Sequence, residues 1–115
     1  MQQIDAHRLG VEQGSQMLFS DFQDGGPMWT GEGTRERRCA VAFSRRFHAP
    51  PSVILGISLW DVKAGANLRA DILAEAITQV GFEIVFRTWG DTRIARIRAE
   101  WTALGPLGHP DDWDV

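Results

Sequence analysis

The chain reads as a single all-β domain, either a sandwich or a barrel. Three observations carry this. Apolar residues return at every second position in several separate stretches, the period of a half-buried strand. Those stretches are short, and clusters of turn residues punctuate them at regular intervals. At 115 residues and 43% hydrophobic, with five Trp and six Phe, the chain is long enough to pack one core without staples.

Residues 1–13 are polar and mixed, and read as a loosely held lead-in. Ser15-Gln16-Met17-Leu18-Phe19 is a short apolar run suited to a first strand. It stops at Asp24-Gly25-Gly26-Pro27, a dense cluster of turn residues. After Met28-Trp29, the loop Thr30-Gly31-Glu32-Gly33-Thr34 carries two glycines and leaves the Glu32 carboxylate exposed.

Residues 35–43 predict a second strand, with Cys39, Val41 and Phe43 on one face and Arg38, Ala40 and Ala42 on the other. Residues 44–51 form a connector in which Pro50-Pro51 prevents strand pairing. Residues 52–62, rich in Val and Ile, predict a third strand, and the loop 63–66 follows.

Residues 67–79 satisfy two periods. Ala70, Leu73, Ala74 and Ile77 lie at helical spacing, while Ala70, Ile72, Ala74 and Ala76 alternate with Arg69, Asp71 and Glu75. Strands on both sides tilt the reading slightly toward strand. From Gly81 the pattern is unambiguous: Phe82, Ile84 and Phe86 face one way, Glu83, Val85 and Arg87 the other. That strand ends in the corner Thr88-Trp89-Gly90-Asp91-Thr92, where Trp89 either binds something or closes a hairpin as a core residue. Residues 93–104 predict a sixth strand, with Ala95, Ile97, Ala99 and Trp101 inward. Its outward Arg96, Arg98 and Glu100 form a stripe that is either solvated or faces a neighbouring protomer. Residues 105–115, rich in Pro, Gly and Asp, predict a coil tail.

Composition excludes several classes. A net charge of −3 gives no nucleic-acid footprint. The single cysteine, Cys39, excludes an intrachain disulfide and a cysteine zinc cluster, and reads as a small buried hydrophobe. The N-terminus has no apolar targeting segment, and no run is long enough to span a bilayer. No membrane insertion is expected, and the sequence leaves localisation open between the cytoplasm and export by a non-classical route. His7, His48 and His109 show no metal-ligand spacing, and Asp111-Asp112-Trp113-Asp114 lacks the Gly and spaced Glu of a calcium loop. No nucleophile motif, P-loop or dinucleotide fingerprint is present. The expectation is a non-enzyme with no metal and no cofactor.

Binding is better represented. Glu32, Arg69 and Trp89-Gly90 put a carboxylate, a guanidinium and an aromatic ring in loops or at strand ends. Sugars are recognised by such sets, through charge-assisted hydrogen bonds to hydroxyls and an aromatic face against the ring C–H groups. The series Phe47-His48-Ala49-Pro50-Pro51-Ser52-Val53, Asp61, Asn67-Leu68-Arg69, Gly81-Phe82, Thr88-Trp89-Gly90-Asp91-Thr92 and Trp101 resembles the H-type lectin domain of snail agglutinins and discoidins.

The resemblance spans roughly residues 9–105, leaving a lead-in of 1–8 and a tail of 106–115. It implies a six-stranded antiparallel β-sandwich, with residues after Arg69 in a strand. It also implies a homotrimer binding galactose or N-acetylgalactosamine glycans between neighbouring protomers, as in cell adhesion. Carried onto this sequence, the carbohydrate site is Glu32, Arg69, Trp89 and Gly90, with the last two supplied by the adjacent chain. Three positions depart from the snail pattern: Glu32 replaces Asp, and Gly90 and Ala95 replace rings that line the pocket, making it shallower. The cysteines of secreted relatives are missing. A different class of function is compatible with the same fold: a trimeric fibre or appendage module that binds little or no sugar.

Overall fold

The computed structural model describes residues 1–5 and 7–108. Six strands run in the order β1 (Leu9–Phe19), β2 (Arg35–Ala42), β3 (Ser52–Val62), β4 (Ala70–Glu75), β5 (Gly81–Thr88) and β6 (Ile94–Pro106). Two single helical turns, α1 (Asp21–Asp24) and α2 (Pro27–Thr30), lie between β1 and β2. The strands form two antiparallel three-stranded sheets, β1-β6-β3 and β2-β5-β4. The fold is therefore the sandwich rather than the barrel.

The core lies between the sheets, as the alternation predicts. Phe82, Ile84 and Phe86 of β5 face Ile97, Ala99, Trp101 and Ala103 of β6, all buried. Phe43, Phe82 and Trp101 sit with ring centroids 5.4–5.9 Å apart, and Phe47 meets Phe43 edge-on at 5.1 Å. Such aromatic pairs add about 0.5–1.5 kcal/mol each beyond their area burial. Cys39 and Val41 pack on this cluster half-buried, and burial raises the Cys39 thiol above its ordinary value. Val85 points outward yet is fully buried. Its cross-strand neighbours are Arg38 and Leu73, and Arg38 there gathers Glu36, Glu75 and Glu83 at 2.8–3.2 Å.

Four expectations change. The lead-in of residues 1–13 is too long, because β1 begins at Leu9. Its first half has no apolar inward side chains: Gly10 lies beneath Leu107 and Phe47, and Gly14 beneath Trp101. The neighbours supply the apolar bulk, so the strand's own sequence hides it. The 24–27 turn cluster is real but built from helical turns. Gly25, at φ +66°, closes α1 in the left-handed conformation, and Pro27 starts α2. The ambiguous 67–79 segment is strand only over Ala70–Glu75. Gly105 and Pro106, expected as coil, extend β6, where proline at a strand end removes no needed donor. The rest of the expected tail, from residue 109, lies outside the described residues.

Candidate functional site

The strand topology brings the candidate residues to one end of the sandwich. The end of β3, the starts of β2, β4 and β6 and the β5–β6 corner all meet there. The corner Thr88-Trp89-Gly90-Asp91-Thr92 works as a clamp on Asn67-Leu68-Arg69. Thr88 Oγ1 donates to the Arg69 carbonyl at 2.6 Å. Thr92 Oγ1 donates to the Asn67 carbonyl at 2.6 Å and accepts from the Arg69 N–H at 2.9 Å. Both threonines are fully buried. The Asp91 carboxylate accepts from the Asn67 side-chain amide at 3.3 Å, and its hydrogen bonds with Asn67 hold its carboxyl below the ordinary value.

Two side chains are left facing solvent by this clamp. Arg69 is exposed, and its guanidinium makes no hydrogen bond or ion pair among the described residues. Trp89 is 41% exposed, so it is not a core residue closing the hairpin. Gly90 between them sits at φ +71°, in the left-handed region where side chains cost roughly 1–2 kcal/mol. A Cβ there would stand 3.6 Å from Arg69 Cδ, in ordinary contact.

The Glu32 loop is tied to the same corner through backbone. The Gly33 N–H donates to the Gly90 carbonyl at 2.9 Å. Arg35, buried to 8% exposure, directs its guanidinium to the carbonyls of Gly33, Pro27, Met28 and Gly90. Burial lowers its pKa, the neighbouring Arg93 charge adds to this, and Glu32 opposes it. Asp21, which no sequence pattern marks, props the other side of the loop. Its buried carboxylate accepts from the Met28 N–H at 2.9 Å and pairs with Arg37 at 3.3 Å.

Glu32 itself is exposed and reaches Arg93, Nη2 to Oε1, at 3.2 Å. In the sequence Arg93 stands out only as a strand residue, and no spacing signal marks it. It lines an open cavity of about 400 Å³ together with Glu32, Lys63, Ala64, Gly65, Ala66 and Asp91. Within one chain, then, Gly90 contacts both the Glu32 loop and Arg69. Ala95, one of the positions expected to line the pocket, is buried.

The sequence profile of the H-type lectin domain matches residues 39–104. The chain belongs to that family. It is 55% identical over 107 residues to a Fuscovulum blasticum protein named ATP synthase subunits region ORF 7, covering 93% of each chain. It is 33% identical over 75 residues to a Discoidin-1 chain of Dictyostelium discoideum, covering 64% of this chain and 30% of the discoidin. The solved structure of discoidin II from the same organism superposes with a TM-score of 0.74 at 23% identity. It covers 87% of this chain and 38% of that one, so the likeness is one of fold and spans a minor part of the discoidin. In this H-type lectin domain Asn67-Leu68-Arg69 and Thr88-Trp89-Gly90-Asp91-Thr92 are one hydrogen-bonded unit.

Proposed function

We propose that this H-type lectin domain is a non-catalytic carbohydrate-binding protein for galactose or N-acetylgalactosamine-type glycans. Glu32 and Arg69 hydrogen-bond the sugar hydroxyls, Trp89 covers an apolar ring face, and Gly90 leaves room for the sugar beside Arg69. The observation that carries this reading is Arg69. A buried threonine clamp fixes its backbone, yet its guanidinium is exposed and makes no hydrogen bond or ion pair among the described residues. A cation whose backbone is fixed and whose side chain is left unpaired is available to an external ligand.

The same reading includes a homotrimer with sites between protomers, where Trp89 and Gly90 of one chain meet Glu32 and Arg69 of the next. Linked sites raise avidity by about 10²–10⁴ over a single site when geometry permits simultaneous engagement, so a shallow pocket suffices. A second reading is a structural fibre or appendage module. It is favoured by Glu32, whose carboxylate is already engaged by Arg93, and by the small residues at 90 and 95.

A glycan array with free galactose as competitor, run beside Arg69→Ala, decides between them. The expected result is galactose-competable binding that falls about tenfold or more in the variant, the worth of one charge-assisted hydrogen bond. Because the Arg69 side chain holds nothing else in place, an unchanged melting curve is expected alongside. Absence of binding to every glycan at high avidity rejects the lectin reading and leaves the structural one.

A further inference from the structure

The cavity at this end is lined by two cations, Lys63 and Arg93, and two carboxylates, Glu32 and Asp91, with Arg35 close enough to feel the Arg93 and Glu32 charges. The anions are the better satisfied group. Glu32 is held by Arg93, and Asp91 by the side-chain amide and backbone N–H of Asn67. Among the described residues the Lys63 ammonium and the Arg69 guanidinium have no hydrogen-bonding or ion-pair partner, and Arg93 uses one of its five donors. Lys63 and Arg93 line the same cavity of about 400 Å³, and the Lys63 N–H bonds the Arg93 carbonyl at 2.9 Å. That bond fixes the two backbones against each other on one rim.

We propose that this cavity is an anion subsite, and that the preferred glycan carries an acidic substituent, a carboxylate or a sulfate ester. The inference rests on the reading of this end as a sugar site, and it names the ligand class. The neutral part of the sugar lies against Trp89 and Arg69, and the acidic group enters between Lys63 and Arg93. Arg93 keeps Glu32 and offers its remaining N–H groups to the acid, and Lys63 supplies a point charge. This arrangement compensates for the missing ring at Gly90: binding free energy that a ring would contribute by stacking comes from charge-assisted hydrogen bonds. The carbonyl-saturated Arg35 contributes only its field.

The test measures affinities for three probes: a neutral β-galactoside, the same galactoside bearing a sulfate ester, and the corresponding β-galacturonide. The expected result is about tenfold tighter binding of at least one acidic probe than of the neutral one at low salt. The preference shrinks as ionic strength rises to about 0.5 M, since exposed charges are screened. Which acidic probe gains identifies carboxylate or sulfate. In Lys63→Gln and Arg93→Gln the ratio of acidic to neutral affinity falls several-fold, whereas Arg45→Gln, an equal charge change on the 44–51 connector, leaves it intact. Equal or tighter binding of the neutral galactoside overturns the anion subsite and leaves the lectin reading standing. A preference untouched by both cavity variants overturns it likewise, and failure of all three probes to bind removes both.

Discussion

At the scale of single residues, the candidate site depends on hydroxyl groups that never reach its surface. Thr92 Oγ1 serves two backbone groups at once, accepting from Arg69 N–H and donating to Asn67 C=O. Thr92→Val keeps shape and volume but leaves both groups without a partner in a part-buried place. The expected cost is about 1–3 kcal/mol, read from the urea denaturation midpoint. Galactoside affinity falls too, since Arg69 loses its anchor while keeping its side chain. An unchanged midpoint would show that water replaces the hydroxyl and that the clamp is not what holds Arg69. Residue type alone makes Glu32 and Arg69 candidates in the sequence, and the structure adds that both are exposed, as is Trp89. Arg93 was not visible. Its importance comes from a side chain 61 positions away, and no local pattern encodes that approach.

At the scale of elements, legibility followed whichever strand carried its own apolar alternation. β2, β3, β5 and β6 each show inward apolar residues at period two, and the structure places them within about two residues of the reading. The first half of β1 shows none, because its inward positions are Gly10, Glu12 and Gly14, and the space at the two glycines is filled by Trp101, Leu107 and Phe47 from elsewhere. The segment after Arg69 was undecidable by period alone, as its alanines fit both. Pairing with β5 decides it. Two glycines on the first sheet test this explanation in opposite directions. In Gly14→Ala the new Cβ would sit 2.6 Å from the Trp101 indole, so the strand or the ring must shift. Overpacking of this kind typically costs about 1–3 kcal/mol. In Gly56→Ala the Cβ meets nothing within 4 Å, and the expected change is neutral or a gain of up to about 1 kcal/mol from the less flexible unfolded chain. Thermal melts of the pair should move apart. Equal shifts would mean the Trp101 contact is not what requires glycine in β1.

At the scale of the whole molecule, the two outer sheet faces differ in kind. The β2-β5-β4 face is roofed by charge: Arg38 and Arg87 bridge Glu36, Glu75 and Glu83, and these contacts lower the Glu36 pKa and raise that of Arg38. Such a face is finished toward water. The outer β1-β6-β3 face is not. Leu9, Val11 and Ile54 are 56–61% exposed there, around Leu104 and Thr102 in the register, with Met17 further along. Contiguous exposed apolar surface on a small chain marks an interaction face. The proposed trimer gives it an occupant, further copies of this chain. The Arg96-Arg98-Glu100 stripe crosses this face, but Arg96 is bound to Asp61 at 2.9 Å and Arg98 to Ser58 at 3.0 Å within the chain. Both arginines are thus already engaged, and beside Glu100 a cavity of about 660 Å³ opens over Gly56 and Ser15. Apolar contact rather than an Arg–Glu exchange is therefore the stronger candidate for holding copies together. Val11→Lys with Ile54→Lys places two charges on the patch without touching the core. Light scattering is expected to give about one-third of the native mass for the double variant, with avidity for a multivalent glycan surface falling by about 10² or more. Affinity for a soluble monovalent galactoside separates two arrangements. It is retained if Glu32, Arg69, Trp89 and Gly90 of one chain suffice, and it is lost with the trimer if the sites are shared between protomers.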